Sequence, residues 1–167
     1  MGLFDFVTNA GSKLGESIFN ATHKDELKEI SKPTSVSPER LNELREQSIR
    51  ENIGDSKVVV QDLGVKVNGD KVVLTGKVNS QSCSESVTLL AGNQHGISQV
   101  DCQLDVANPE PESTFYTVES GDTLGKIAKA HYGDASQYMK IFEANKETLE
   151  NPDKIYVGQK LRIPSQA

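Results

Sequence analysis

The stretch YTVESGDTLGKIAKAHYG, from Tyr116 to Gly133, constrains the fold more than any other part of the chain. Strand, turn and helix signals follow one another in it without a gap. Tyr116 and Val118 alternate as in a strand. Ser120-Gly121-Asp122-Thr123 supplies a turn, and Asp122 or Thr123 can cap the helix that follows. Leu124, Ile127, Ala128 and Tyr132 then recur at helical spacing until Gly133 stops them. Ser136 opens a second helix carrying Tyr138, Ile141 and Phe142, and Lys160 to Ile163 return as a strand. A β-α-α-β unit is expected over residues 115–164.

A second α+β unit precedes it. Ser37 before Pro38 is a helix start, and Leu41, Leu44, Ile49 and Ile53 carry that helix to Gly54. In LGVKVNGDKVVLTGKV two apolar runs flank Asn68-Gly69-Asp70, where Asn-Gly accepts the positive φ of a tight hairpin. Val65 and Val67 alternate there, as do Val73 and Thr75. Ser80 caps a helix with Cys83, Val87, Leu90 and Ala91 on one face, ending at Gly92. A last strand sets Val100, Cys102, Leu104 and Val106 to one side. This α-β-β-α-β order, over residues 38–107, predicts two helices on one face of a three-stranded sheet. The prolines and glutamates of NPEPES make residues 108–114 a stiff linker. At the front, Leu3, Phe4, Val7, Leu14, Ile18 and Phe19 have rough helical spacing. They predict a helical arm over residues 1–19, its first helix ending near Ala10 and Gly11, and the polar run 20–37 reads as a linker.

Composition and motifs remove several function classes. The net charge is −6 with an acidic excess in every third of the chain, so no basic stripe exists for nucleic acid. No apolar run approaches the roughly 18 residues of a membrane span. The opening MGLFDFVTNAGSKLGES has no basic residue ahead of its apolar ones, and Asp5 interrupts a short run, unlike a secretory signal. Phe6 breaks the myristoylation pattern. A cytoplasmic location is expected. Cys83 and Cys102 are expected as buried, reduced thiols. His23, His95 and His131 lack metal-type spacing. No nucleophile-elbow, P-loop or dinucleotide motif occurs, and the paired carboxylates Glu110/Glu112 and Asp25/Glu26 lie in polar segments. No enzyme is expected.

Binding is the remaining class. VTNAG (7–11) and AGNQHGI (91–97) both read as helix ends. A helix C-terminus leaves about four carbonyls without partners and about half a negative charge. Two such ends together make a cluster of neutral oxygens. K⁺ accepts carbonyls in place of its hydration shell, whereas Mg²⁺ wants carboxylates and its own waters. Glycines 11, 92 and 96 let the chain turn its carbonyls inward.

Three resemblances extend this reading. VVLTGKV, the polar helix start after it and HGISQVDCQLDV resemble a BON domain. YTV, GDTL, IA, YG, EAN, GQ and IP together resemble a LysM domain. The LysM resemblance implies binding of N-acetylglucosamine polymers such as peptidoglycan through Gly121, Asp122, Thr123 and Leu124, with the region Asn151 to Tyr156. The same residues also read simply as a turn and a helix cap. GLFDFVTNAG at 2–11, GNQHGI at 92–97 and IFEANKETLENPDKIYVGQKLRIP are similar to the potassium-binding protein (Kbp) family of cytoplasmic bacterial proteins. Only the segment of about residues 20–45 departs, looking longer than the family's linker. The resemblance implies K⁺ as the bound ion, held by main-chain carbonyls of Val7 and Ala10 in the arm and of Gly92, Gln94 and Ile97 in the BON loop. A monomeric sensor or buffer is expected, with the LysM unit as an internal docking partner. The alternatives are a peptidoglycan-binding protein of the envelope and a structural adaptor.

Overall fold

The computed structural model describes residues 2–6 and 37–165. Strand β1 is Gly2–Asp5 and helix α1 is Pro38–Asp55. Strands β2 (Val60–Asn68) and β3 (Lys71–Ser80) form a hairpin, helix α2 is Gln81–Gly92, and β4 is Gln99–Asn108. The C-terminal unit holds β5 (Thr114–Thr117), α3 (Leu124–Tyr132), a 3₁₀ turn (Ala135–Gln137), α4 (Tyr138–Ala144) and β6 (Lys160–Ile163). The fold is α+β throughout.

Local chemistry sets the element ends. Ser37 caps α1, its hydroxyl accepting from the Arg40 amide, and Pro38 occupies the first turn, where a missing N–H costs nothing. The hairpin turns at Gly69, φ 63°, where a side chain would be strained. Ser80 caps α2 through the Cys83 amide, and Thr123 caps α3 through the Lys126 amide. Between Thr123 and Asp122, then, Thr123 is the cap. Asp122 instead accepts from the Tyr116 hydroxyl and the Glu119 amide. The second LysM helix starts later than Ser136. Asp134 caps a 3₁₀ turn first, and the α-helix begins at Tyr138.

The larger sheet has four strands in the order β1-β4-β3-β2, not three. β2 pairs antiparallel with β3. β3 pairs parallel with β4, α2 being the crossover. The fourth strand comes from the arm. Gly2–Asp5 pairs antiparallel with β4, Gly2 opposite Cys102 and Asp5 opposite Gln99. The helical reading of the arm is thus corrected at these residues. The edge of β4 offers unpaired amides and carbonyls, and Phe4 and Phe6 fall on the inner face while Leu3 and Asp5 fall outside. The rest of the arm and the linker up to residue 36 lie outside the described residues.

Helices α1 and α2 pack on the sheet in one apolar cluster with Ile49, Ile53, Val65, Val67, Val87, Val100, Cys102 and Leu104. In β3 the buried face is Val72, Leu74 and Val78, while Val73 and Thr75 face the other way. Three apolar residues in a row had hidden the phase of that strand. Cys102 is buried as expected, whereas Cys83 is half-buried, and both are free thiols. The C-terminal unit has its own core of Val118, Leu124, Ile127, Ala128, Ile141, Leu149, Leu161 and Ile163. Asn145 braces that core from within. Its side chain meets the backbone of Arg162 twice, at 2.8 and 2.8 Å, and the Ile141 carbonyl at 2.7 Å.

Candidate functional site

The C-terminus of α2 is where arm, BON loop and LysM strand meet. The Phe6 amide donates to the Ser98 carbonyl at 2.6 Å, which carries the arm past the end of β1 to the loop after α2. There the Phe6 ring lies over Gly92 and is 8% exposed. A Cβ on residue 92 would overlap that ring. Gly92 thus serves for space, sitting in helical conformation, whereas Gly96, φ 79°, is required by the turn itself.

Of the five carbonyl donors expected for K⁺, three are described. Gly92 is the last residue of α2 and is buried. Gln94 is buried, its side-chain amide donating to the Leu90 carbonyl at 3.1 Å. Its own carbonyl accepts from the Ile97 amide at 3.3 Å, and a carbonyl oxygen has a second lone pair to offer. Ile97 is fully buried. Val7 and Ala10 lie outside the described residues. No grouping of three or more His, Cys, Asp or Glu suited to a metal occurs among the described residues.

Residues that sequence reasoning passed over hold this junction together. Asn93 caps α2, and its side chain clasps the backbone of Lys160 in β6 on both sides, at 3.0 Å to the carbonyl and 3.0 Å from the amide. The Lys160 ammonium donates to the Asp5 carbonyl and lies 4.9 Å from the centre of the Phe6 ring. Burial pulls the Lys160 pKa below the ordinary lysine value, and the Asp5 carboxylate opposes that pull. Two residues on, Arg162 forms an ion pair with Glu85 of α2 at 3.2 Å and a hydrogen bond to Ser82 at 2.5 Å. Glu85 also accepts from the Ser113 amide at 2.9 Å, fixing the end of the linker. Phe4 meets Phe115 edge-on with ring centres 5.1 Å apart, so the arm strand touches both domains. The signals for these contacts were present as GLFDF, GNQHG and KLRI, but each read locally as a helix face, a loop and a strand.

The residues expected for the alternative sugar site lie around one groove. Asp122, Thr123 and Leu124 line a groove of about 270 Å³ with Tyr138, Pro152 and Asp153. Gly121 sits beside it at φ 87°, its carbonyl accepting from the Lys126 ammonium at 2.7 Å. The Asp122 carboxylate is already engaged, and it pushes the Tyr116 pKa up to about 12.

Comparison with known proteins matches both domains to families. The BON domain family matches residues 42–108 and the LysM domain family residues 116–164. The potassium binding protein Kbp of Escherichia coli is 40% identical over 166 residues, covering 99% of this chain and 100% of that protein. An uncharacterized protein of Deinococcus radiodurans is 38% identical over 122 residues, covering 66% of this chain and 47% of its own length. An esterase of Mycobacterium tuberculosis is 43% identical over 54 residues, 11% of its length. No helix among the described residues is long and apolar enough to cross a membrane.

Proposed function

The chain belongs to the family of the potassium binding protein Kbp, and from that premise we propose that it binds K⁺ in a cage of main-chain carbonyls. The cage would comprise Val7 and Ala10 of the arm with Gly92, Gln94 and Ile97 of the BON loop. The observation that carries this reading is the seat of Phe6 on Gly92, with the Phe6 amide bonded to Ser98. Val7 follows Phe6 in the sequence, and this reading has the arm beyond Phe6 supply the remaining donors. The helix C-terminus contributes partial negative charge there without a formal carboxylate. Such a site favours a large, weakly hydrated monovalent ion over Mg²⁺.

In this reading the ion closes the arm over the BON domain and fixes the LysM domain against both. A ligand that binds only the closed form stabilises it by mass action. The protein is then a cytoplasmic, monomeric sensor or buffer of K⁺, and not an enzyme. The test is small-angle scattering during titration with KCl, NaCl and MgCl₂. Compaction with K⁺ alone is expected, and equal responses to all three salts would reduce the effect to ionic strength.

The groove beside Asp122 supports a second reading, in which the LysM domain binds peptidoglycan. Co-sedimentation with insoluble peptidoglycan separates the two, since retention in the pellet is expected only of the second.

A further inference from the structure

We infer that Lys160 is the positioning residue through which the LysM domain holds the arm on the BON loop, so that the second domain sets how tightly the ion is held. This rests on the arm-and-loop cage proposed above. Side chains of β6 alternate. Leu161 and Ile163 enter the LysM core, so Lys160 and Arg162 must point to the other face, which in this protein is the BON side. The two have different grips. The Arg162 side chain reaches α2, through Glu85 and Ser82. Lys160 reaches the loop and the arm alike, with its backbone on Asn93 beside Gly92 and its ammonium on the Asp5 carbonyl and the Phe6 ring.

A fixed cation near an ion site also repels the ion, so the sign has to be decided. The Asp5 carboxylate, which accepts from Gln99, lies near enough to oppose the fall in the Lys160 pKa and so offsets part of the ammonium's field. At longer range salt screens what remains of it. The hydrogen bond to the arm carbonyl and the contact with the ring are short-range and unscreened. Tethering therefore outweighs repulsion, and losing the ammonium weakens ion binding.

The experiment compares Lys160→Met, which keeps the length of the stem but removes donor and charge, with Lys66→Met as a control. Lys66 is exposed on β2, the edge of the sheet opposite the arm. Two readouts are used, K⁺ affinity by calorimetry and hydrogen exchange at the Phe6 amide. Lys160→Met is expected to weaken K⁺ binding roughly tenfold, the scale of one charged hydrogen bond, and to speed exchange at Phe6, while Lys66→Met changes neither. Lys160→Arg, which keeps a donor and a cation over the ring, restores both readouts towards the parent protein. Affinity and exchange unchanged in Lys160→Met, or tighter binding, would overturn the inference. So would an arginine variant as impaired as the methionine one, because then packing of the stem and not the ammonium would hold the arm. If the parent chain gives no K⁺ heat, the cage reading fails. Faster exchange in Lys160→Met would still show the tether in that case.

Discussion

Replacing Gly92 by alanine sets two effects of opposite sign against each other. Gly92 closes α2 in helical conformation, so alanine should strengthen the helix by about 0.5 kcal/mol. The new Cβ, however, would overlap the Phe6 ring, well inside the ~3.5 Å at which carbon atoms rest against each other. The helix end is held by Asn93 and the core beneath it, so the ring is what must leave. Phe6 is 8% exposed when seated. Fully burying a phenylalanine side chain is worth about 1.5–3 kcal/mol, and taking 2 kcal/mol as the loss lowers K⁺ affinity about 30-fold. Calorimetry with KCl measures that factor, and thermal melting in NaCl measures the helix term. The account predicts a melting midpoint that holds or rises alongside the loss of affinity. Phe6→Ala should cost a similar factor, and Gly92→Ala added to it should cost little more, because both remove the same contact. Parental K⁺ affinity in Gly92→Ala, or full additivity in the double variant, would refute the reasoning.

Two further outcomes follow from the geometry. Arg162→Met leaves the buried Glu85 carboxylate without its cation and should cost about 3 kcal/mol of stability, with Glu85→Leu/Arg162→Met recovering part of it, as read by chemical denaturation. Tyr116 has its pKa raised from 10.0 to about 12 by the Asp122 carboxylate. The stability it contributes is fully present below about pH 10 and is lost as pH rises through about 12. Tyrosinate absorbance and melting of the LysM domain should show that loss, and Tyr116→Phe should remove this part of the alkaline slope.

Much of the fold was legible because its punctuation is local. Ser37-Pro38, Asn68-Gly69, Ser80 and Thr123 each act on backbone groups within a turn of themselves, so their chemistry shows in a short window. The arm strand was not legible. Leu3 and Phe4 are adjacent apolar residues that mask a period of two, and the partner strand β4 is most of the BON domain away in sequence. Helix α2 misled in another way. Ser84, Glu85, Ser86 and Thr88 look like a solvated face, yet all are buried, because the sheet, α1 and the LysM strand surround the helix. Glu85 tolerates this only through Arg162, and that pairing joins two domains whose sequences read as independent. At the junction, the loop residues Gly92, Gln94 and Ile97 were visible as a motif. The residues that bring the arm to them, Phe6, Asn93 and Lys160, acquire that role only in three dimensions.

The central claim is that carbonyls gathered at the end of α2 and in the arm select K⁺, and calorimetry of the intact chain with KCl against NaCl at equal ionic strength tests it most directly. The account predicts a saturable heat with KCl and none above dilution with NaCl. Indistinguishable isotherms for the two salts would contradict it.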